Sequence, residues 1–103
     1  CLEPILLRLL KDNGRMYGYQ MTQMVKEITK GELNITEGAL YPLLHKLEEQ
    51  GVVETETEMN GNRMRKYYSL TKVGKKQTAL AMDEMKAFMQ SLEFIVNPKT
   101  VIG

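Results

Sequence analysis

The stretch Thr36-Glu37-Gly38-Ala39-Leu40-Tyr41-Pro42-Leu43-Leu44-His45-Lys46-Leu47-Glu48-Glu49-Gln50-Gly51 decides how this 103-residue chain is read. Thr36 has the hydroxyl of an N-cap, able to accept from an unpaired amide of a first helical turn. Gly51 stands where such a helix stops, since glycine enters the left-handed region without steric penalty. Between them Leu40, Leu43, Leu44 and Leu47 recur at the spacing of one apolar helix face. The opposite face holds Gly38, Pro42, His45 and Glu49, flanked by Tyr41 and Lys46. A solvated face normally fills with Lys, Glu and Arg, whereas this one begins with small residues beside an aromatic and a basic pair. Pro42 lies beyond the first turn, so it deletes one backbone hydrogen bond and crowds a carbonyl, a rule violation expected at functional sites. Alternatively the helix starts at Pro42 and the face carries no meaning.

Upstream, Leu2, Ile5, Leu6, Leu9 and Leu10, widened by Leu7, make a broad apolar stripe over a first helix at 3–13, closed by Asn13-Gly14. A helix apolar nearly all round needs cover on more than one side, and in so small a protein part of it is expected from another chain. Residues 17–30 read as a second helix with Tyr17, Met21, Met24, Val25 and Ile28 on one face, closed by Gly31. Gly18 in its first turn is explained equally by close packing against a neighbouring helix or by a phosphate at the helix N-terminus. Leu33-Asn34-Ile35 then links into Thr36, and the pair of helices reads as a helix-turn-helix.

Downstream, residues 52–59 alternate and are rich in β-branched types, so they read as a strand. Asn60-Gly61 signals a hairpin, and 63–70 returns with Met64, Lys66, Tyr68 and Leu70 on one face and Arg63, Arg65, Tyr67 and Ser69 on the other. The expected fold is α+β and mainly helical, a winged helix-turn-helix over 1–70 followed by a C-terminal dimerisation helix and tail over 71–103. That last helix is capped by Thr71 and ended by Pro98, with frayed residues after it. Its Ala81, Met85, Phe88, Leu92 and Ile95 step by four and three like a coiled-coil seam. The dimer interface is therefore placed on these five residues together with Leu6 and Leu9 of the first helix.

Size and composition narrow the function. The hydrophobic fraction of 43% and charged fraction of 26% are those of an ordinary globular chain, and 103 residues make one small domain that a partner subunit would help to bury. One cysteine and one histidine exclude an internal disulfide and leave no Cys/His metal set. No apolar run spans a bilayer and no signal-peptide pattern is present, so a cytoplasmic protein is expected. The chain begins with Cys1 rather than Met, and native residues are expected ahead of it. There is no Gly-rich phosphate loop, no nucleophile near a base and no clustered carboxylates apart from Glu54, Glu56 and Glu58, so neither an enzyme nor a cofactor is expected.

Net charge is only +1, but its distribution is uneven: Arg63, Arg65, Lys66, Lys72, Lys75 and Lys76 follow one another with no acid from Met59 to Lys76. One reading pairs the strand glutamates with Arg63, Arg65 and Lys66 across the hairpin. The other sets the basic run against DNA phosphates, the main source of duplex affinity. On the second reading the 36–51 helix enters the major groove with Thr36, Gly38, Tyr41, Pro42 and His45 toward the bases and Lys46 toward phosphates, while Asn60 to Arg65 straddles the backbone or minor groove. The alternative from another class is a winged-helix module binding an acidic protein surface.

The segments Tyr17-Gly18-Tyr19-Gln20-Met21, Gly38-Ala39-Leu40-Tyr41-Pro42-Leu43-Leu44-His45-Lys46-Leu47-Glu48 to Gly51-Val52-Val53, and Arg65-Lys66-Tyr67-Tyr68-Ser69-Leu70-Thr71 with Gly74 resemble the PadR family of bacterial transcriptional regulators. The resemblance covers residues 3 to about 75. It implies a winged-helix repressor acting as a homodimer on a palindromic double-stranded operator of its own or a neighbouring transport or detoxification operon. Tyr19, Tyr41, Pro42 and His45 would then belong to the reading surface, and Asn60, Asn62, Arg63, Arg65 and Lys66 to the wing. The single C-terminal helix resembles the short subfamily, some of whose members bind planar drugs between tryptophans at the dimer centre. This chain has no Trp, so Met82, Met85, Phe88 and Met89 are either an adaptable apolar effector pocket or plain interface.

Overall fold

A computed structural model describes residues 2–97; the expected helix stop at Pro98 and the tail beyond lie outside the described residues. The elements run α1 (Glu3–Asn13), β1 (Met16–Tyr17), α2 (Gly18–Ile28), α3 (Glu37–Glu49), β2 (Val53–Asn60), β3 (Arg63–Leu70) and α4 (Lys72–Val96). The strands form one antiparallel sheet in the order β1-β3-β2. This is an α+β winged helix.

Each boundary has a local cause. Gly14 ends α1 with φ 75°, its N–H donating to Leu10 O. Lys30 takes φ 53° after α2, and the Lys30 and Gly31 amides return to Glu27 O and Lys26 O. Thr36 caps α3 by accepting from Ala39 N–H at 3.2 Å. At its other end Gly51 N–H donates to Glu48 O and Val52 N–H to Leu47 O, a Schellman closure that needs the φ of 73° at Gly51. Thr71 caps α4 by accepting from Gly74 N–H at 3.0 Å, and its hydroxyl also lies 2.6 Å from Gly51 O. The end of α3 and the start of α4 are thus fastened to one another.

The core lies where α1, α2 and α3 meet the inner face of the sheet. Leu6, Met21, Val25, Leu40 and Leu44 are wholly enclosed, with Met16, Val53, Tyr68 and Leu70 closing the sheet side. This corrects one interface expectation: Leu6 is 0% exposed and has no surface left to give to a partner, while Leu9, 4% exposed, lines the groove between α1 and α4. The broad stripe of α1 is covered by the chain itself. The second helix begins one residue later than expected, because Tyr17 pairs with Tyr67 as β1. Ile28, expected on the buried face of α2, is 63% exposed.

The hairpin turn is Gly61-Asn62, one step beyond the expected Asn60-Gly61, since Asn60 pairs with Arg63. Gly61 has φ 67° and Asn62 is not left-handed, the pattern of a type II′ turn with glycine first. Alternation along β3 follows the sequence reading, with Tyr68 and Leu70 buried on the inner face.

The first half of α4 packs on α1 and the start of α4 lies on Val52. From Asp83 to Val96 every residue is exposed. No helix among the described residues is long and apolar enough to cross a membrane.

Candidate nucleic-acid interface

Helix α3 is continuous through Pro42. Proline has no N–H to return to Gly38, so the Gly38 carbonyl, on an exposed residue, lacks its helical donor. Thr36, Gly38, Tyr41, Pro42, His45 and Lys46 are all exposed, so the structure brings the whole expected α3 set onto uncovered surface. Two of these side chains have a carboxylate neighbour. His45 Nε2 lies 3.1 Å from Glu49 Oε1 on the same helix, and Lys46 Nζ is 4.0 Å from Glu3 of α1.

Tyr41 rests its ring on Gly18, where an added Cβ would collide with the phenol oxygen and Cζ. That contact supplies the packing explanation for Gly18. Partial burial, with Glu37 nearby, raises the Tyr41 phenol above its ordinary pKa. Tyr19, one residue further along α2, is 56% exposed. Tyr41 therefore ties the first turn of α2 to the middle of α3.

The wing set is divided between two faces. Asn60 and Asn62 are exposed at the tip. Lys66 sits on the inner face, 3.9 Å from Glu48 of α3, and Thr55 donates to the same carboxylate at 3.2 Å. Arg63 and Arg65 project from the outer face, and among the described residues neither makes an ion pair. The glutamates do not pair with them: Glu56 and Glu58 are taken by Arg15, at 2.8 and 2.7 Å. Those two hydrogen bonds, Glu58 first, raise the Arg15 guanidinium above its ordinary pKa. Arg15 was not among the residues expected from the sequence, because its place became visible only with the pairing of β1 to β3. Met59 and Met64, a facing pair on the inner side of the tip, are 61% and 70% exposed and were likewise not singled out as site residues.

On α4, Met85, Phe88, Leu92 and Ile95 are exposed by 40%, 62%, 44% and 72%, and Ala81 is half-buried. Met82 and Met85 line a groove of about 460 Å³ with Pro4, Ile5, Arg8, Leu9 and Ile28. Phe88 and Met89 do not line that groove, so the four side chains of the expected effector pocket are not gathered in one chain.

Residues 6–80 match the sequence profile of the Transcriptional regulator PadR-like family. An uncharacterised protein of Lysinibacillus sphaericus is 32% identical over 100 residues, spanning 89% of this chain and 91% of that one. The crystal structure of smu.1704 from Streptococcus mutans superposes with a TM-score of 0.79 at 34% identity, over 92% of this chain and 85% of that chain. The structure of Bacillus subtilis PadR in complex with operator DNA superposes with a TM-score of 0.71 at 29% identity, over 79% of this chain and 45% of that longer one. The chain belongs to the PadR-like family, and it is a DNA-binding transcriptional regulator rather than an enzyme.

Proposed function

We propose that the chain is a cytoplasmic, homodimeric repressor of its own or a neighbouring operon, with α3 in the major groove of a palindromic operator and the β2–β3 hairpin over the backbone or minor groove. The observation that carries this is the exposed α3 face of Thr36, Gly38, Tyr41, Pro42 and His45, joined to a hairpin whose two arginines have no carboxylate partner among the described residues. The likeness to Bacillus subtilis PadR, solved in complex with operator DNA, supports duplex DNA as the ligand. Residues 1–70 read DNA on this account, and residues 71–103 dimerise.

The apolar length of α4 beyond Met82 supports the dimer. Phe88, Leu92 and Ile95 are exposed by 62%, 44% and 72%, and contiguous exposed apolar surface of this kind marks an interaction site. A partner helix laid along it would also close the groove at Met82, Met85 and Ile28. That closed space is where a small apolar or aromatic effector would act, changing the spacing of the two α3 helices.

Gel-shift of the upstream DNA of the chain's own operon tests the proposal. Salt-sensitive, sequence-dependent retardation with two chains per duplex is expected. Retardation indifferent to sequence, or none, contradicts it.

A further inference from the structure

Arg15 reaches across all three strands of the sheet. Its guanidinium lies 4.2 Å from the centroid of the Tyr67 ring on β3, and ends on Glu56 and Glu58 of β2. Arg65 takes the opposite diagonal, 4.4 Å from the ring centroid of Tyr17 on β1. The two rings meet edge to face at 5.5 Å. Two arginines and two tyrosines therefore interlock on the outer face, with the carboxylates gathered under one arginine alone.

The register makes that distribution notable, because Glu58 lies directly opposite Arg65. Opposite charges facing one another across antiparallel strands attract, so Arg65 is the cross-strand cation closest in register to Glu58. Yet Glu58 is bonded to Arg15, and Arg65 has no carboxylate within ion-pair distance among the described residues.

We propose that Arg15 is a positioning residue for DNA binding: by holding Glu58 and Glu56 it keeps Arg65 unpaired and available to a phosphate. This rests on the DNA-binding reading above. Without Arg15, Glu58 turns to Arg65, and the wing loses one cation from the duplex. Of the three glutamates on β2, two are held by Arg15, just ahead of β1, which offsets one of their negative charges and turns both carboxylates away from Arg65.

The test is fluorescence anisotropy of the full chain on a labelled mixed-sequence B-form duplex, titrated at several salt concentrations. Each phosphate contact contributes about 0.9 to the slope of log K against log salt. Arg15→Gln is expected to lower the slope by about one contact. Arg65→Ala is expected to lower it equally, and the two together no further than either alone. Adding Glu56→Gln and Glu58→Gln to Arg15→Gln returns the wild-type slope, whereas adding Glu54→Gln, a carboxylate outside the Arg15 pair, does not. Arg15→Lys keeps the charge and the slope. A slope unchanged in Arg15→Gln, an additive loss with Arg65→Ala, or no rescue by the paired glutamine changes would overturn the inference. Wild-type protein with no salt-dependent duplex binding would overturn the DNA reading itself, and that result is seen before any substitution is made.

Discussion

The phenol end of Tyr41 occupies the space that any side chain at position 18 would need: a Cβ built on Gly18 falls on the Tyr41 ring terminus. The half-exposed aromatic of the reading helix is thereby seated on the first turn of the helix before it. Gly18→Ala must swing that ring outward. Because the obstacle is the tip of a mobile side chain, the cost is expected near the low end for overpacking, about 1 kcal/mol, or a melting-temperature drop of about 4–8 °C. In a Tyr41→Ala background the same change costs nothing further, which a thermal double-mutant cycle reads directly.

Gly74 presents the opposite case. Its missing Cβ would fall on the Val52 carbonyl oxygen, a backbone atom that also accepts from Thr71 N–H at 3.1 Å. No rotamer relieves that collision. Gly74→Ala is expected to destabilise by about 3 kcal/mol or more, and truncating the Val52 side chain does not recover it. Urea titration of the two glycine variants side by side checks the contrast.

Alkaline stability follows from the tyrosines. Burial, with Glu48 nearby, raises the Tyr68 phenol above its ordinary value of 10.0, and burial likewise raises Tyr41. In the window between the unfolded and folded values the unfolded chain binds fewer protons, so unfolding becomes easier as pH rises. Stability is expected to be undiminished by these groups below pH 10 and to fall above it. Tyr68→Phe should flatten that fall, as measured by denaturant midpoints taken from neutral to alkaline pH.

Phe88 is 62% exposed on the uncovered length of α4. Phe88→Glu is expected to leave the fold of a single chain intact, within about 0.5 kcal/mol for a surface change, while abolishing self-association. Analytical ultracentrifugation of wild type and variant, with circular dichroism as the folding control, separates the two effects.

Much of the architecture was legible because it is encoded locally. The Thr36 and Thr71 caps, the Gly14 and Gly51 stops and the alternation of Tyr68 and Leu70 each depend on residues a few positions apart, and all appear where the sequence puts them. What failed to show in the sequence is encoded by distant pairing. The strand Met16–Tyr17 has no alternation of its own and exists through its ladder with Tyr67 and Tyr68. Arg15 acquires its two glutamates only once that ladder sets its direction. Leu6 reads as interface in the sequence because apolar residues on α1 can be counted without showing how many faces the same chain covers. The α3 surface was readable as exposed, but the ties of His45 to Glu49 and of Lys46 to Glu3 were not.

On the proposed function, two chains joined through α4 set paired α3 helices into neighbouring major grooves. Hydroxyl-radical footprinting of the upstream operon DNA tests it most directly. Two protected half-sites are expected about 34 Å, one duplex turn, apart, both lost together in Phe88→Glu. A single protected half-site retained in full by Phe88→Glu, or no protection at all, would contradict it.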